Sequence, residues 1–413
     1  MKQMFAESYK KALSFSLLLL LTISCQQITD EEISSRLSMW DLSHMQMVKH
    51  SLNEEDDFYR PAYEQLIENA ESELNKGPWS VTFKDIIPPG GTKHDYMSMG
   101  PYWWPDSTKA DGLPYIRKDG VAKPENRMDR TQLGGLFNGV RTLSLAWFFS
   151  DDRKYADRAV ELLHVWFIDE DTRMNPHLEY AQAIPGRTDG RGIGIIDARS
   201  IYDLVDSITL LERSSAFDQA DKAEIRQWFT DYRNWLVDSQ HGKDMDVYVN
   251  NHSTAYDAQV SSIARYLGDD EFVRQKISAV PENRMNHMIE ADGSQPHELR
   301  RTRGLSYSVS NLRNFYNSGE MGLKVGVDIF GYANPEGGSL KNALDFMIQY
   351  IGKPDTFPYE QISNWESAEN GLGILIYRAG RYFNDPEYQR LWEESFAEKL
   401  ERDWILMVMP GLE

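Results

Sequence analysis

Cysteine is almost absent from this chain: Cys25 is the only one among 413 residues. Everything after it lacks an internal disulfide, a cysteine-ligated zinc site and a thiol nucleophile. Basic residues are also in short supply, with 44 Lys and Arg against 64 Asp and Glu and a net charge of −20. That balance excludes nucleic acid as a partner, because such binding rests on a basic face that neutralises phosphates. It leaves room for an acidic small molecule or polymer, since a local arginine cluster inside a cleft can dominate the field there. No low-complexity tract appears, and alternating strand patterns are few, Trp79–Phe83 being the best of them.

Long apolar runs are equally rare. The one at Leu13 to Leu21 follows Lys10 and Lys11, is too short to span a bilayer, and ends in Thr22-Ile23-Ser24-Cys25. Residues 1–24 therefore read as an export signal of the bacterial lipoprotein type, with Cys25 as the lipid-modified first residue of the mature protein. That places the protein outside the cytoplasm, in the periplasm or at the outer membrane of a Gram-negative cell. The membrane is touched only through the anchor. Residues 25–50 read as a polar tether (Gln26 to Ser35) and a first helix, and residues 51–413 as one catalytic domain.

What is present in quantity is helical patterning. In Asp151–Phe167 the apolar residues Tyr155, Ala159, Leu162, Leu163, Trp166 and Phe167 recur at three- and four-residue steps. Ile225, Trp228, Phe229, Tyr232, Trp235 and Leu236 repeat the pattern, with Asp218 or Asp221 available as N-cap. Further helices are predicted over Glu64–Asn75, Leu136–Phe149, Ile201–Leu211, Ala255–Leu267, Leu305–Tyr316, Leu340–Ile351, Asn370–Ala379 and Tyr388–Leu400. Roughly ten helices without a strict short repeat argue against a regular solenoid and for helix pairs stacked around a core. The predicted fold is mainly α, an (α/α) toroid or incomplete α/α barrel.

Two long connections depart from this pattern. His94–Arg127 carries Tyr96, Tyr102, Trp103, Trp104 and Tyr115 among prolines and glycines, and Pro176–Arg199 carries Tyr180, Gln182, Arg187, Arg191 and Arg199. Loops of that length are functional or disordered, and aromatic richness argues against disorder. Aromatic faces suit the C–H faces of sugar rings, although any one of them is as readily a packing residue. Arg187 and Arg191 suit carboxylates, although Asp189 and Asp197 offer them loop salt bridges instead.

Two polar clusters remain. Asn250-Asn251-His252 opens the helix predicted from Ala255, where a cap explains one Asn and leaves the second Asn and the His unexplained. The second cluster is Glu298-Leu299-Arg300-Arg301-Thr302-Arg303-Gly304-Leu305-Ser306-Tyr307. On a continuous helix Arg300 or Arg303 shares a face with Tyr307, and Arg301 joins it only from a preceding loop. The bland alternative is a core histidine and a solvated arginine run.

Asn-Asn-His followed by Glu-Leu-x-Arg-Thr and a Tyr resembles the bacterial alginate lyase superfamily. So do His94-Asp-Tyr-Met-Ser-Met-Gly-Pro-Tyr-Trp-Trp-Pro-Asp106 and Met174-Asn-Pro-His-Leu-Glu-Tyr-Ala-Gln-Ala-Ile-Pro-Gly186, the resemblance running from about residue 60 to about 380. It implies the toroid fold and β-elimination of a 4-linked polyuronate, alginate first, above all its mannuronate-rich form, and glucuronan second. It also implies catalytic roles for Asn251, His252, Arg301 and Tyr307, with Arg300 adjacent to the matching arginine. The family's lid lysine has no clear counterpart, Lys93 and Lys109 being candidates. Substrate contacts are expected from Tyr96, Tyr102, Trp103, Trp104, Gln182, Arg187 and Arg300.

Those residue types suit the reaction. Abstracting the weakly acidic C5 proton beside a carboxylate requires that the carboxylate first be neutralised, which Asn251, His252 and an arginine can do. Tyr307 serves as base once its pKa of about 10 is lowered by a nearby Arg⁺, and can return the proton to the leaving oxygen. No metal or cofactor is expected: His241, Asp244, Asp246 and His252 fit no standard spacing. Two rival classes stand beside this reading. A hydrolase would need two carboxylates, for which Asp257 and Asp292 are the candidates; the other rival is a non-catalytic glycan-binding lipoprotein.

Overall fold

The computed structural model describes residues 28–53 and 58–412. The export signal and Cys25 lie outside them. Among the described residues, no helix is long and apolar enough to cross a membrane.

The helical periods become helix pairs. The helix expected from Asp151 is Arg153–Phe167, because Asp151 adopts a left-handed conformation (φ 58°) that ends the preceding helix, Asp129–Ser150, while Asp152 caps the next. Its Tyr155, Ala159, Leu162, Leu163, Trp166 and Phe167 are all buried, each large apolar side chain contributing about 1.5–3 kcal/mol. Asp218 caps Gln219–Asp238 by accepting from the Asp221 N–H.

Five helices form a side-by-side row: α1 (Asp129–Ser150), α2 (Ile201–Leu211), α3 (Asn251–Leu267), α4 (Gly304–Lys324) and α5 (Trp365–Ala379). A second layer backs them, consisting of Arg153–Phe167, Gln219–Asp238, Asp270–Ser278, Leu340–Ile348 and Pro386–Ser395. Alternation of inner and outer helices along the chain is the α/α-toroid arrangement. It explains why α2, α3 and α4 are buried nearly all round: one side meets the outer layer and the other faces the centre. Polar residues on the inner helices bond to one another, as Thr254 Oγ1 does to Asn311 Oδ1 at 2.7 Å.

Two expectations are corrected. Trp79–Phe83 is not a strand; Val81–Phe83 is a 3₁₀ turn led by Ser80, since a lone alternating stretch has no partner to pair with. The polar tether is helical from Asp30 to Arg36 under a Thr29/Glu32 capping box. The turn just after it is held to the domain: Asp206 of α2 accepts the N–H groups of Ser38, Met39 and Trp40 at 2.6–2.9 Å.

Among the described residues, the strands all come from the two long connections. β1 (Met97–Met99) pairs in parallel with β4 (Tyr180–Ala183), while β2 (Trp103–Trp104) and β3 (Ile116–Arg117) pair antiparallel. These short ladders fasten both connections across the ends of the inner helices.

Candidate active site

The connections and the inner helix starts enclose a cavity of about 740 Å³. Eight arginines line it (117, 130, 191, 199, 300, 301, 303 and 313), and among the described lining residues there is no carboxylate. In a chain of net charge −20, this is a local reversal of field suited to an anion.

Tyr307 occupies the first turn of α4, and Ser310, Arg313 and Asn314 continue its cavity face at helical spacing. Arg301 sits on the turn before the helix, the position from which it can reach Tyr307. Its Nη2 lies 3.3 Å from Tyr307 Oη and its guanidinium 4.3 Å from the ring centroid. Asp119 fixes it there, accepting from Nε at 3.0 Å and from Nη2 at 2.7 Å. The charge of Arg301 and its hydrogen bonds hold Asp119 at about 2 despite burial, which acts the other way. Asp119 comes from the long aromatic connection, and nothing in the sequence singles it out.

On the other side of Tyr307 stands Tyr102, with the two hydroxyl oxygens 2.6 Å apart. Burial pushes the Tyr307 phenol above its ordinary range, and the charge of Arg301 only partly offsets this. Arg301 does act downward on this pKa, as expected, but desolvation outweighs its charge and the net shift is upward.

Asn250 is the cap of α3, its Oδ1 accepting from the His252 N–H at 3.1 Å. The same oxygen lies 2.9 Å from His252 Nδ1, so that Nδ1 carries the proton and Nε2 is left as an acceptor. Burial, reinforced by Arg301 and Arg191, holds the imidazole at about 3 and hence neutral. Asn251 is anchored by buried Glu298, which accepts from its N–H and its Nδ2 at 2.6 Å each. The two polar clusters thus meet directly, through a carboxylate that the sequence shows only as part of a motif. Burial raises Glu298 to about 7.

The expected substrate contacts divide. Tyr102, Trp103, Gln182 and Arg300 line the cavity. Successive strand residues face opposite ways: Trp103, paired with Arg117, looks in, while Trp104 bonds to Val121 O and lies beneath Lys118. Tyr96 is corrected outright. It is fully buried, and its hydroxyl donates to Asp197 at 3.0 Å. Gln182, held at φ 51°, spends its amide on Asp197 and Arg191. Exposed Arg187 stacks on Trp103 without lining the cavity; neither Lys93 nor Lys109 lines it. The hydrolase pair is not assembled: Asp257 is buried against Arg284 and Lys276, and exposed Asp292 turns onto the Ser294 N–H. Arg191, Arg199, Arg303, Arg313 and Tyr248 also line the cavity; the sequence marked Arg191 as suited to a carboxylate and Arg303 as a possible neighbour of Tyr307, hinted at Arg199 only through the polar richness of Pro176–Arg199, and did not single out Arg313 or Tyr248.

The alginate lyase family model matches residues 80–357. No curated protein matches. An alginate lyase from Bacteroides ovatus superposes with a TM-score of 0.87 at 39% identity, over 91% of this chain and 99% of that one. Alginate lyase A1-III from a Sphingomonas species gives 0.55 at 16% identity, over 92% and 97%. A variant of A1-III complexed with a tetrasaccharide gives 0.57 at 16%, over 88% and 91%. The A1-III structures share the fold; the match to the family over two-thirds of the length, joined to the Bacteroides relative, goes further, and the chain belongs to the alginate lyase family.

Proposed function

We propose that this protein cleaves a 4-linked polyuronate of the alginate type by β-elimination, with mannuronate-rich chains as the first substrate and glucuronan as the second. The observation that carries the reading is Tyr307 bracketed by Arg301 and Tyr102 in an arginine-rich cavity with no carboxylate among its described lining residues. A two-carboxylate hydrolytic mechanism has no candidates there.

Tyr307 removes the C5 proton. As a phenolate it accepts from the Tyr102 hydroxyl and from Arg301 Nη2, two donors already within reach. The same oxygen then returns the proton to the leaving O4 when both lie on one side of the ring. The sugar carboxylate meets the second amide hydrogen of Asn251 and the free guanidinium of Arg300, which stabilise the enolate as oxyanion donors do. Neutral His252 offers an acceptor at Nε2; a carboxylate bound beside it favours its protonation, after which it donates as well.

Incubation with a panel of polyuronates, followed by ultraviolet absorbance of the unsaturated product, tests the reading. Absorbance should grow with wild type and vanish with Tyr307→Phe. Reducing ends without absorbance would indicate hydrolysis, and binding with neither would leave only a glycan-binding role. Export and a lipid anchor at Cys25 belong to the same proposal, and acyl labelling of wild type against Cys25→Ala tests them.

A further inference from the structure

We propose a second carboxylate subsite on the floor of the cavity, formed by Arg199 and Arg313 beside Tyr202, which takes the acid group of a uronate next to the one cleaved. The inference rests on the polyuronate reading and adds to it a residue-level site.

Arg313 lies six residues beyond Tyr307 on α4, roughly 9 Å further along the helix, and both line the cavity. Among the described residues, the side chains of Arg199 and Arg313 have neither an ion-pair nor a hydrogen-bond partner, whereas Arg301 is held by Asp119 and Arg130 leans on Asp197. Asp197 has no capacity to spare, since Tyr96, Ser98 and Gln182 already donate to it. Asp203 and Asp403 feel the charge of Arg313 without reaching ion-pair distance.

Enclosing like charges without counter-charge is unfavourable. Arg199 registers this, held below the usual guanidinium range by burial and then by Arg130, with Arg313 adding to the effect. The fold nevertheless makes room for the group: on α5, a Cβ at Gly371 would stand 2.7 Å from Arg313 Nη2. Planar forks that lack acids are built to receive a carboxylate bidentately. An acidic polymer supplies a carboxylate on every sugar, so two such sites engage neighbouring units of one chain.

The test has two arms. In the first, Arg199→Gln and Arg313→Gln are assayed separately and together for elimination on mannuronan. The double variant should raise KM at least tenfold, keep kcat within about threefold and leave the melting temperature near wild type. Arg313→Lys should recover part of the loss, because it keeps the charge without the fork. In the second arm, calorimetry measures a mannuronate tetrasaccharide binding to Tyr307→Phe with and without the two arginine changes. Affinity should fall at least tenfold.

Unchanged KM and unchanged affinity overturn the subsite while leaving the lyase reading intact. Absence of elimination by wild type, with tetrasaccharide affinity still dependent on the two arginines, overturns the lyase reading and leaves the subsite standing. If both glutamine variants unfold, equal affinities for Tyr307→Phe and Tyr307→Phe/Arg313→Lys overturn the proposal.

Discussion

The hydroxyl oxygens of Tyr102 and Tyr307 lie 2.6 Å apart, although 205 residues separate them in the chain. One donates to the other, and a phenolate on Tyr307 would receive the Tyr102 proton as a charge-assisted hydrogen bond. Removing that donor leaves Arg301 alone to hold the charge. A hydrogen bond to an ionised group is worth about 1.5–3 kcal/mol, or roughly one to two pKa units. Tyr102→Phe should therefore move the rising limb of the kcat/KM profile to higher pH by about that amount, with activity partly recovered in alkaline buffer. A profile that keeps its midpoint while losing height would show Tyr102 to be a substrate contact only.

Asp119 sets where the Arg301 charge is felt. With both carboxylate oxygens occupied by Nε and Nη2, the guanidinium is fixed over the Tyr307 ring. Asp119→Asn removes the charge and one of the two good acceptors, and a displacement on the order of 1 Å can lower the rate about a hundredfold. Arg301→Lys keeps the charge but loses the fork, with an expected fall in kcat of about 10²-fold or more. Arg300→Ala, which removes a carboxylate donor from the cavity, should raise KM and also lower kcat, but by less than Arg301→Lys. Steady-state kinetics on all three, with circular dichroism to confirm folding, checks this ordering. Near-wild-type kcat in both Asp119→Asn and Arg301→Lys would remove the pair from the mechanism.

The sequence made the helices legible because their apolar residues recur at helical steps, and Asp218, Asn250 and the start of α3 followed from cap chemistry. The meeting of the Asn251 and Tyr307 clusters was legible through motif resemblance alone, since periodicity does not say which helix starts converge. Tyr96 and Asp119 show where reading stopped. An aromatic in a long connection looks the same whether it points at Asp197 or at a ligand, and an acid in a Lys-Asp-Gly turn looks like solvated surface. The fate of both was set by the β1–β4 and β2–β3 pairings, short ladders whose partners lie 12 to 84 residues apart. Two- to four-residue strands carry too little alternation to be seen.

Glu298 is a positioning residue for Asn251, holding both its N–H and its Nδ2. The Glu298→Gln variant would present an NH₂ group to one of these two donors and release the amide. It should lower kcat/KM by about tenfold or more, since one misplaced oxyanion donor is worth up to 10²–10³. Glu298→Asp, which keeps the charge on a shorter arm, should retain more activity than Glu298→Gln if anchoring of Asn251 is what matters. Equal activity of Glu298→Gln and wild type in a polyuronate assay would show that Asn251 holds its place unaided.

Glu298 and His252 also pull stability in opposite directions with pH, and single substitutions separate them. Glu298 is raised to about 7 by burial, so between roughly 4.5 and 7 the folded state keeps a proton that the unfolded chain releases. Its contribution to stability declines as pH rises through that window. His252 is held at about 3 by burial and neighbouring arginines, so between roughly 6.5 and 3 the unfolded chain gains a proton that the folded state refuses. Its contribution declines as pH falls. Each full proton difference amounts to about 1.4 kcal/mol per pH unit. Relative to wild type, His252→Gln should therefore gain stability as pH drops from 6 to 4.5, and Glu298→Gln should gain as pH rises from 5 to 7. Urea unfolding midpoints at half-unit pH steps read both slopes. Parallel curves for wild type and His252→Gln would mean that the imidazole is already charged in the folded protein, and its neutral tautomer, with Nε2 left as an acceptor, would have to be abandoned.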